Sequence, residues 1–308
     1  MPIVIHKSQF KAAQAEPPRE EPPPQKFAGV VIRKAAKGGP KAIDVDDARG
    51  RYEIRAVIGE GGTGRVVRAF DKMLDMEVAI KILSPRLIRD KEALAALKAE
   101  VRITLSLIHK HILRIYNLEK SGDNYLVIME YLKGKSVAQL LDEAPGGLPA
   151  DFVVPLVEVA SDALGYAHRH GVLHLDLTPG NVFVTDDGVV KIIDFGIAKV
   201  AGAQAANSEF IVGTPVYMSP EQLRGEALDA RSDIYSMGVL TYQMLTGRLV
   251  SPPDTPLETL AFQPHPPLEG LAPAVAETLE AATAFSPDAR PAAIGDFAAA
   301  LADAVGRM

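Results

Sequence analysis

Four short stretches of this sequence carry side chains suited to handling phosphate. Residues 59–66 read GEGGTGRV, and glycines at 59, 61 and 64 let backbone approach a polyphosphate closely because no Cβ intrudes. A dinucleotide fingerprint needs a helix after such glycines. Here RVVRAFD follows, an apolar run of strand character, so on its own the pattern also fits a plain glycine-rich hairpin. The second stretch, VAIK, ends at Lys81, a cation closing three apolar strand residues. It needs a fixed carboxylate to orient it; Glu100 is the candidate, and the same helical run also offers Glu92. The third stretch is HLDLTPGN, residues 174–181, in which Asp176 can accept a hydroxyl proton. The fourth is DFG at 194–196, where VVKIIDFG puts Asp194 at the end of a buried strand. Asn181 and Asp194 can hold Mg²⁺ against phosphates, because that ion takes few protein oxygens and keeps substrate phosphates as further ligands. A single one of these stretches arises readily by chance; four in this order and spacing do not.

The elements that must position them are legible from periodicity. Residues 52–58 and 66–70 flank the glycine-rich turn as two strands, and MEVAIKIL (76–83) is a third. Residues 89–107 place Leu94, Leu97, Val101, Leu105 and Ile108 at helical spacing. LRIYNLEK and NYLVIMEYL read as two more strands. After residue 135 helices dominate, notably 151–170, 228–247, 273–284 and 293–306. A β-rich lobe with one main helix followed by a larger helical lobe is an α+β, two-lobed architecture. The lobes span about 51–132 and about 133–306.

Residues 1–50 have a different texture, with EPPREEPPPQK the clearest part. Such a segment buries too little apolar surface to offset its ordering entropy, so a disordered tail is expected, with a docking arm for a partner as the alternative. VVIRKA (30–35) could pair as a short strand. This tail holds nine Lys/Arg against six Asp/Glu, and the remainder 24 against 33, within a net charge of −6 over 308 residues. Nothing in that balance points to nucleic acid. The chain has no cysteine, which excludes disulfides, thiol catalysis and thiolate metal sites. The seven histidines show no metal-ligand spacing. No apolar run reaches the roughly 18 residues of a membrane span, and MPIVIHKSQF has neither a long apolar region nor a cleavage site. A cytoplasmic protein without membrane contact is expected.

With these motifs in place, residues 52–306 resemble the protein kinase family, specifically the bacterial (eukaryotic-like) Ser/Thr protein kinases. GTPVYMSPE (213–221) resembles the substrate-positioning segment that ends in the family's APE motif, with Ser219 in the Ala place. RSDIYSMGVL resembles the buried central helix, with Asp233 as its anchoring acid, and SPDARP supplies Arg290, which the family pairs with the glutamate that is Glu221 here. The resemblance implies ATP and Mg²⁺ as cofactors and a protein hydroxyl as substrate. The backbone of Gly59, Glu60, Gly61, Gly62, Thr63 and Gly64 would cover the phosphates, and Lys81, paired to Glu100, would hold them. Val66, Ala79 and Phe183 would sandwich adenine. Met129 would be the gatekeeper, with the backbone of Glu130 and Leu132 on the adenine edge. Asp176 would orient and deprotonate the substrate hydroxyl, Asn181 and Asp194 would hold magnesium, and Thr214 would hydrogen-bond Asp176. His174 would pack beneath Phe195.

The sequence departs from the family's HRDxKPxN loop at two positions. Leu175 replaces the arginine that reads an activation-segment phosphate; between Gly196 and Gly213 the only hydroxyl is Ser208, and Phe210 stands where many relatives carry a phosphothreonine. An active state held by apolar packing of Leu175 and Phe210, independent of phosphorylation, is therefore expected. Thr178 replaces the lysine that contacts the γ-phosphate, which implies a slow enzyme. The region after the central helix is also short. The alternatives are a pseudokinase or ATP-binding scaffold and a small-molecule kinase of related fold; GTPVYMSPE and Arg290 argue against the last.

Overall fold

A computed structural model describes residues 50–61, 64–89, 91–195 and 215–307. The tail, including VVIRKA, and residues 196–214 with Ser208, Phe210 and Thr214 lie outside them.

The first lobe is built on five antiparallel strands: β1 (Tyr52–Gly61), β2 (Gly64–Asp71), β3 (Met76–Leu83), β4 (Ile115–Ser121) and β5 (Asn124–Glu130), in the order β1-β2-β3-β5-β4. Alternating side chains give the sheet two apolar faces. One buries Tyr52, Val67, Ala69, Val78, Ile80, Leu126 and Ile128 together. The other buries Leu83, Ile115 and Val127 against Leu97 and Val101 of a helix. The helix expected over 89–107 is α2 (Lys91–Ser106), with a short α1 (Pro85–Arg89) before it; Leu97 and Val101 of its apolar spacing are buried, whereas Leu105 and Ile108, the latter past the helix end, are exposed.

The strands run further into the glycine-rich stretch than the expected bounds of 58 and 66. β1 continues through Gly59 and Glu60 to Gly61, paired with Val66, Arg65 and Gly64; Gly62 and Thr63 lie outside the described residues. Gly64 has φ +148°, and a Cβ there would lie 2.1 Å from the Ile82 carbonyl oxygen. The third glycine is thus required by the β2–β3 approach, whatever lies beneath the loop.

Residues 131–133 lead from β5 into the second lobe. There β6 (Gly134–Ser136), β7 (Val182–Thr185) and β8 (Val190–Ile192) form a small sheet. The helices are α3 (Val137–Glu143), α4 (Ala150–Arg169), α5 (Pro220–Arg224), α6 (Ala230–Thr246), α7 (Leu257–Phe262), α8 (Pro273–Ala282) and α9 (Ile294–Gly306). One continuous core joins α4, α6, α8 and α9 through residues such as Leu156, Leu164, Ile234, Met237, Leu279, Phe297 and Leu301. The four long helices match the expected spans to within two residues at each end. In the short region after α6 the chain forms only α7, six residues long. The lobes are stitched behind the linker: Leu113 N–H donates to the Ile192 carbonyl (2.9 Å), Ile192 N–H to the His111 carbonyl (2.8 Å), and the His111 ring meets the Val190 carbonyl (2.8 Å).

A buried ion pair closes the helical lobe. Arg290 binds both Glu221 oxygens, at 2.7 and 2.8 Å, as the family resemblance implies, and donates to the carbonyls of Ala284, Arg231 and Phe285. The Ser232 hydroxyl adds a third bond to Glu221 at 2.8 Å. Burial alone would raise the Glu221 carboxyl; Arg290 and Ser232 outweigh it and hold the group down at about 2. A depressed carboxyl contributes stability that is complete above its ordinary value, 4.5, and lost as pH falls toward 2. Glu221→Gln leaves Arg290 without its counter-charge, at a cost of about 3–5 kcal/mol. Urea midpoints of wild type and variant should differ widely at pH 6 and converge as pH falls through that window; a pH-independent difference would contradict this account.

Candidate active site

The loop 174–181 is organised from below by α6. Asp233, wholly buried, accepts the N–H of His174 at 2.8 Å and that of Leu175 at 2.7 Å, and lies 2.7 Å from His168 Nε2 of α4. Burial alone would raise this carboxyl, but His168 and His174 keep it below the usual carboxylate range. The fixed anion holds Leu175 at φ +58°, a left-handed conformation that costs a side-chain-bearing residue about 1–2 kcal/mol. The turn it makes delivers Asp176 to the cleft side.

Asp176 and Asn181 form one unit. Asn181 Nδ2 donates to the Asp176 carbonyl at 2.8 Å and to its carboxylate at 3.2 Å. Asp176 N–H donates to His174 Nδ1 at 3.2 Å, so the His174 proton sits on Nε2, which donates to the Ile193 carbonyl at 3.0 Å. Ile193 N–H in turn donates to the Asn181 carbonyl at 2.9 Å. These bonds lace the loop to the residue before Asp194, and the His174 ring packs on Phe195 at 4.7 Å between centroids. Asp194 lies two residues beyond the end of β8, not within it, at φ +55°. Lys81 Nζ, buried on β3, contacts Asp194 Oδ1 at 3.1 Å. This is the carboxylate the structure gives Lys81; the Glu100 side chain lies outside the described residues.

The remaining positions surround the same cleft. Strand register puts Val66 opposite Lys81, and Ala79 opposite Met129; cross-strand partners project to one face, so these four share a side of the sheet. Ala79, Met129 and Phe183 on β7 are all buried. Glu130 N–H donates to the Arg114 carbonyl at 2.9 Å, so its carbonyl is the backbone group it can offer a ligand, with Leu132 two residues on. Glu60 instead pairs with Arg65 at 2.8 Å. Among the described residues, Asn181 has its amide nitrogen on Asp176 and keeps Oδ1, while Asp194 keeps Oδ2 beside Lys81. Two hard oxygens from these residues suit a Mg²⁺ that completes its shell with phosphate and water.

Thr178 uses its carbonyl to accept Asn181 N–H at 2.9 Å, and the loop 174–181 contains no lysine or arginine. Two functional residues were not singled out from the sequence. His168 bears no motif. Gln222, whose Nε2 donates to the Leu175 carbonyl at 3.0 Å, follows the noted Glu221 directly but meets the loop only through the fold.

Comparison with known proteins identifies the family. Residues 52–280 match the protein kinase domain. A serine/threonine-protein kinase PknL of Mycobacterium tuberculosis is 35% identical over 246 residues, covering 77% of this chain and 61% of the relative. A probable serine/threonine-protein kinase of Clostridium acetobutylicum is 36% identical over 208 residues, covering 67% of this chain and 32% of the relative. The chain thus spans less than two thirds of the length of these curated relatives. The crystal structure of the Mycobacterium tuberculosis PknI kinase domain aligns with a TM-score of 0.69 at 26% identity, covering 83% of this chain and 96% of that one. No helix among the described residues is long and apolar enough to cross a membrane. By its domain match, its relatives and its fold, this chain belongs to the protein kinase family, on the side of its bacterial serine/threonine kinases.

Proposed function

We propose that the chain is a working serine/threonine protein kinase that moves the γ-phosphoryl group of ATP to a protein hydroxyl. The observation that carries this reading is the hydrogen-bonded unit of Asp176 and Asn181, laced through Ile193 to the Lys81–Asp194 pair. Phosphoryl transfer asks a protein mainly to position groups and neutralise charge, and these side chains are held for that purpose.

In this reading Asp176 orients the attacking hydroxyl and takes its proton. Lys81, with Glu100 as its second carboxylate partner, holds the α- and β-phosphates under the backbone of residues 59–64. Val66, Ala79 and Phe183 enclose adenine, Met129 closes the back of the pocket, and the Glu130 carbonyl and Leu132 N–H bind the adenine edge. Asn181 and Asp194 would hold a magnesium ion, which supplies positive charge against the phosphates. Thr214 would bond Asp176 and shape the substrate site. The proline-rich tail keeps its sequence-based reading, a disordered segment with docking of a partner as the alternative, and a cysteine-free chain suits the cytoplasm.

Two substitutions set the regime. Leu175 removes the reader of an activation-segment phosphate, so activity does not wait on Ser208. Thr178 removes a preorganised cation from developing charge, a loss of about 10²–10³ in rate. The pseudokinase reading draws on the same two residues, but Lys81, Asp176, Asn181 and Asp194 all stand in the site described above.

Asp176→Asn should abolish phosphotransfer to a protein or peptide while leaving nucleotide affinity within about twofold, since general-base loss costs about 10²–10⁴ in rate. Unchanged transfer in that variant would sink the proposal. Thr178→Lys should raise kcat by about 10²–10³ at saturating ATP and Mg²⁺; equal rates would show that the missing charge does not limit this enzyme.

A further inference from the structure

Leu175 is gripped at both ends of its residue. Its N–H belongs to Asp233. Its carbonyl accepts Gln222 Nε2 at 3.0 Å, across 47 residues of sequence. The Gln222 amide is itself fixed, because Oε1 accepts Ser219 N–H at 3.2 Å and the Ser219 hydroxyl at 3.1 Å. Turned over, the amide would set its NH₂ against the Ser219 N–H and its oxygen against the Leu175 carbonyl, so these two partners fix its orientation, and the Ser219 hydroxyl, able to donate, completes it. Ser219 has no exposure. It stands in the alanine place of the motif, and its hydroxyl adds a bond that alanine lacks.

Gln222 therefore joins the loop of Asp176 to the start of α5, the end of the substrate-positioning segment. An arginine at 175 could link that loop to a phosphate on the segment; leucine cannot. We infer that Gln222 is a positioning residue whose amide, fixed by Ser219, holds the Leu175 carbonyl and so aims Asp176 without any phosphate on the activation segment. The inference rests on the kinase reading for its kinetic effect, but the tether itself can be tested without activity.

Gln222→Glu is the discriminating variant. The carboxylate keeps the shape and the acceptor for Ser219 but turns a donor into an acceptor facing a carbonyl. At pH 8 kcat should fall about tenfold, the scale of one hydrogen bond, with KM for ATP unchanged. As pH falls toward the glutamic acid range, the protonated carboxyl donates again, so the ratio of wild-type to variant kcat should close toward one. Gln222→Asn, too short to reach Leu175, should lose rate without this recovery. A merely structural role for Gln222 would lower stability with no pH-dependent recovery of kcat. Equal kcat at pH 8, or a ratio independent of pH, overturns the inference. If the wild type transfers no phosphate, the kinase reading has failed, and hydrogen exchange across residues 173–177 at pH 8 decides the tether alone. Faster exchange in Gln222→Glu than in wild type sustains it, and equal exchange overturns it.

Discussion

One buried charge sets the geometry on which the site depends. Taking an unpaired carboxylate out of water costs several kcal/mol, and Asp233 offsets that cost only by collecting two loop N–H groups and the His168 ring at once. Its donors come from α4 and from the loop, while its own helix, α6, is buried along most of its length. The loop therefore takes the shape that satisfies the anion, left-handed turn at Leu175 included. From there the order passes by hydrogen bonds from Asp176 to Asn181, from Asn181 and His174 to Ile193, and so to Asp194 and Lys81. A protein that moves phosphate by positioning needs such a chain of fixed partners more than it needs reactive groups.

The two departures in the loop fall on different parts of this chain. Leu175 contributes its backbone, and both backbone groups are bonded; its side chain is the part that changed. A leucine at 175 keeps both of these backbone anchors, one from Asp233 and one from Gln222. Thr178 is the reverse case. Its backbone has an ordinary extended conformation and its carbonyl does a structural task, but the missing lysine charge has no substitute within residues 174–181.

Much of this was legible before folding. The glycines, VAIK, Asp176, Asn181 and DFG announce themselves by type and spacing, and the period-two and helical patterns found the first sheet and four long helices. What escaped has physical reasons. Strands β6 to β8 are three or four residues long, too short to show a period. α3 escaped despite a readable signal, the capping box of Ser136 and Gln139. The role of Gly64 is set by the Ile82 carbonyl of a neighbouring strand, which no local pattern reveals. Gln222 sits beside a motif, yet its partner is 47 residues away, and the left-handed backbone at Leu175 cannot be read from a leucine.

The central claim is that a loop held by Asp233 and Gln222 is competent without activation-segment phosphorylation. The most direct measurement treats the purified chain with phosphatase, confirms by mass spectrometry that it carries no phosphate, and then follows initial transfer from ATP to a protein substrate with Mg²⁺ present. The account predicts slow transfer to serine or threonine that begins without a lag, at the rate of the untreated chain. A lag that disappears as the chain phosphorylates itself, or no transfer from the stripped chain, would contradict it.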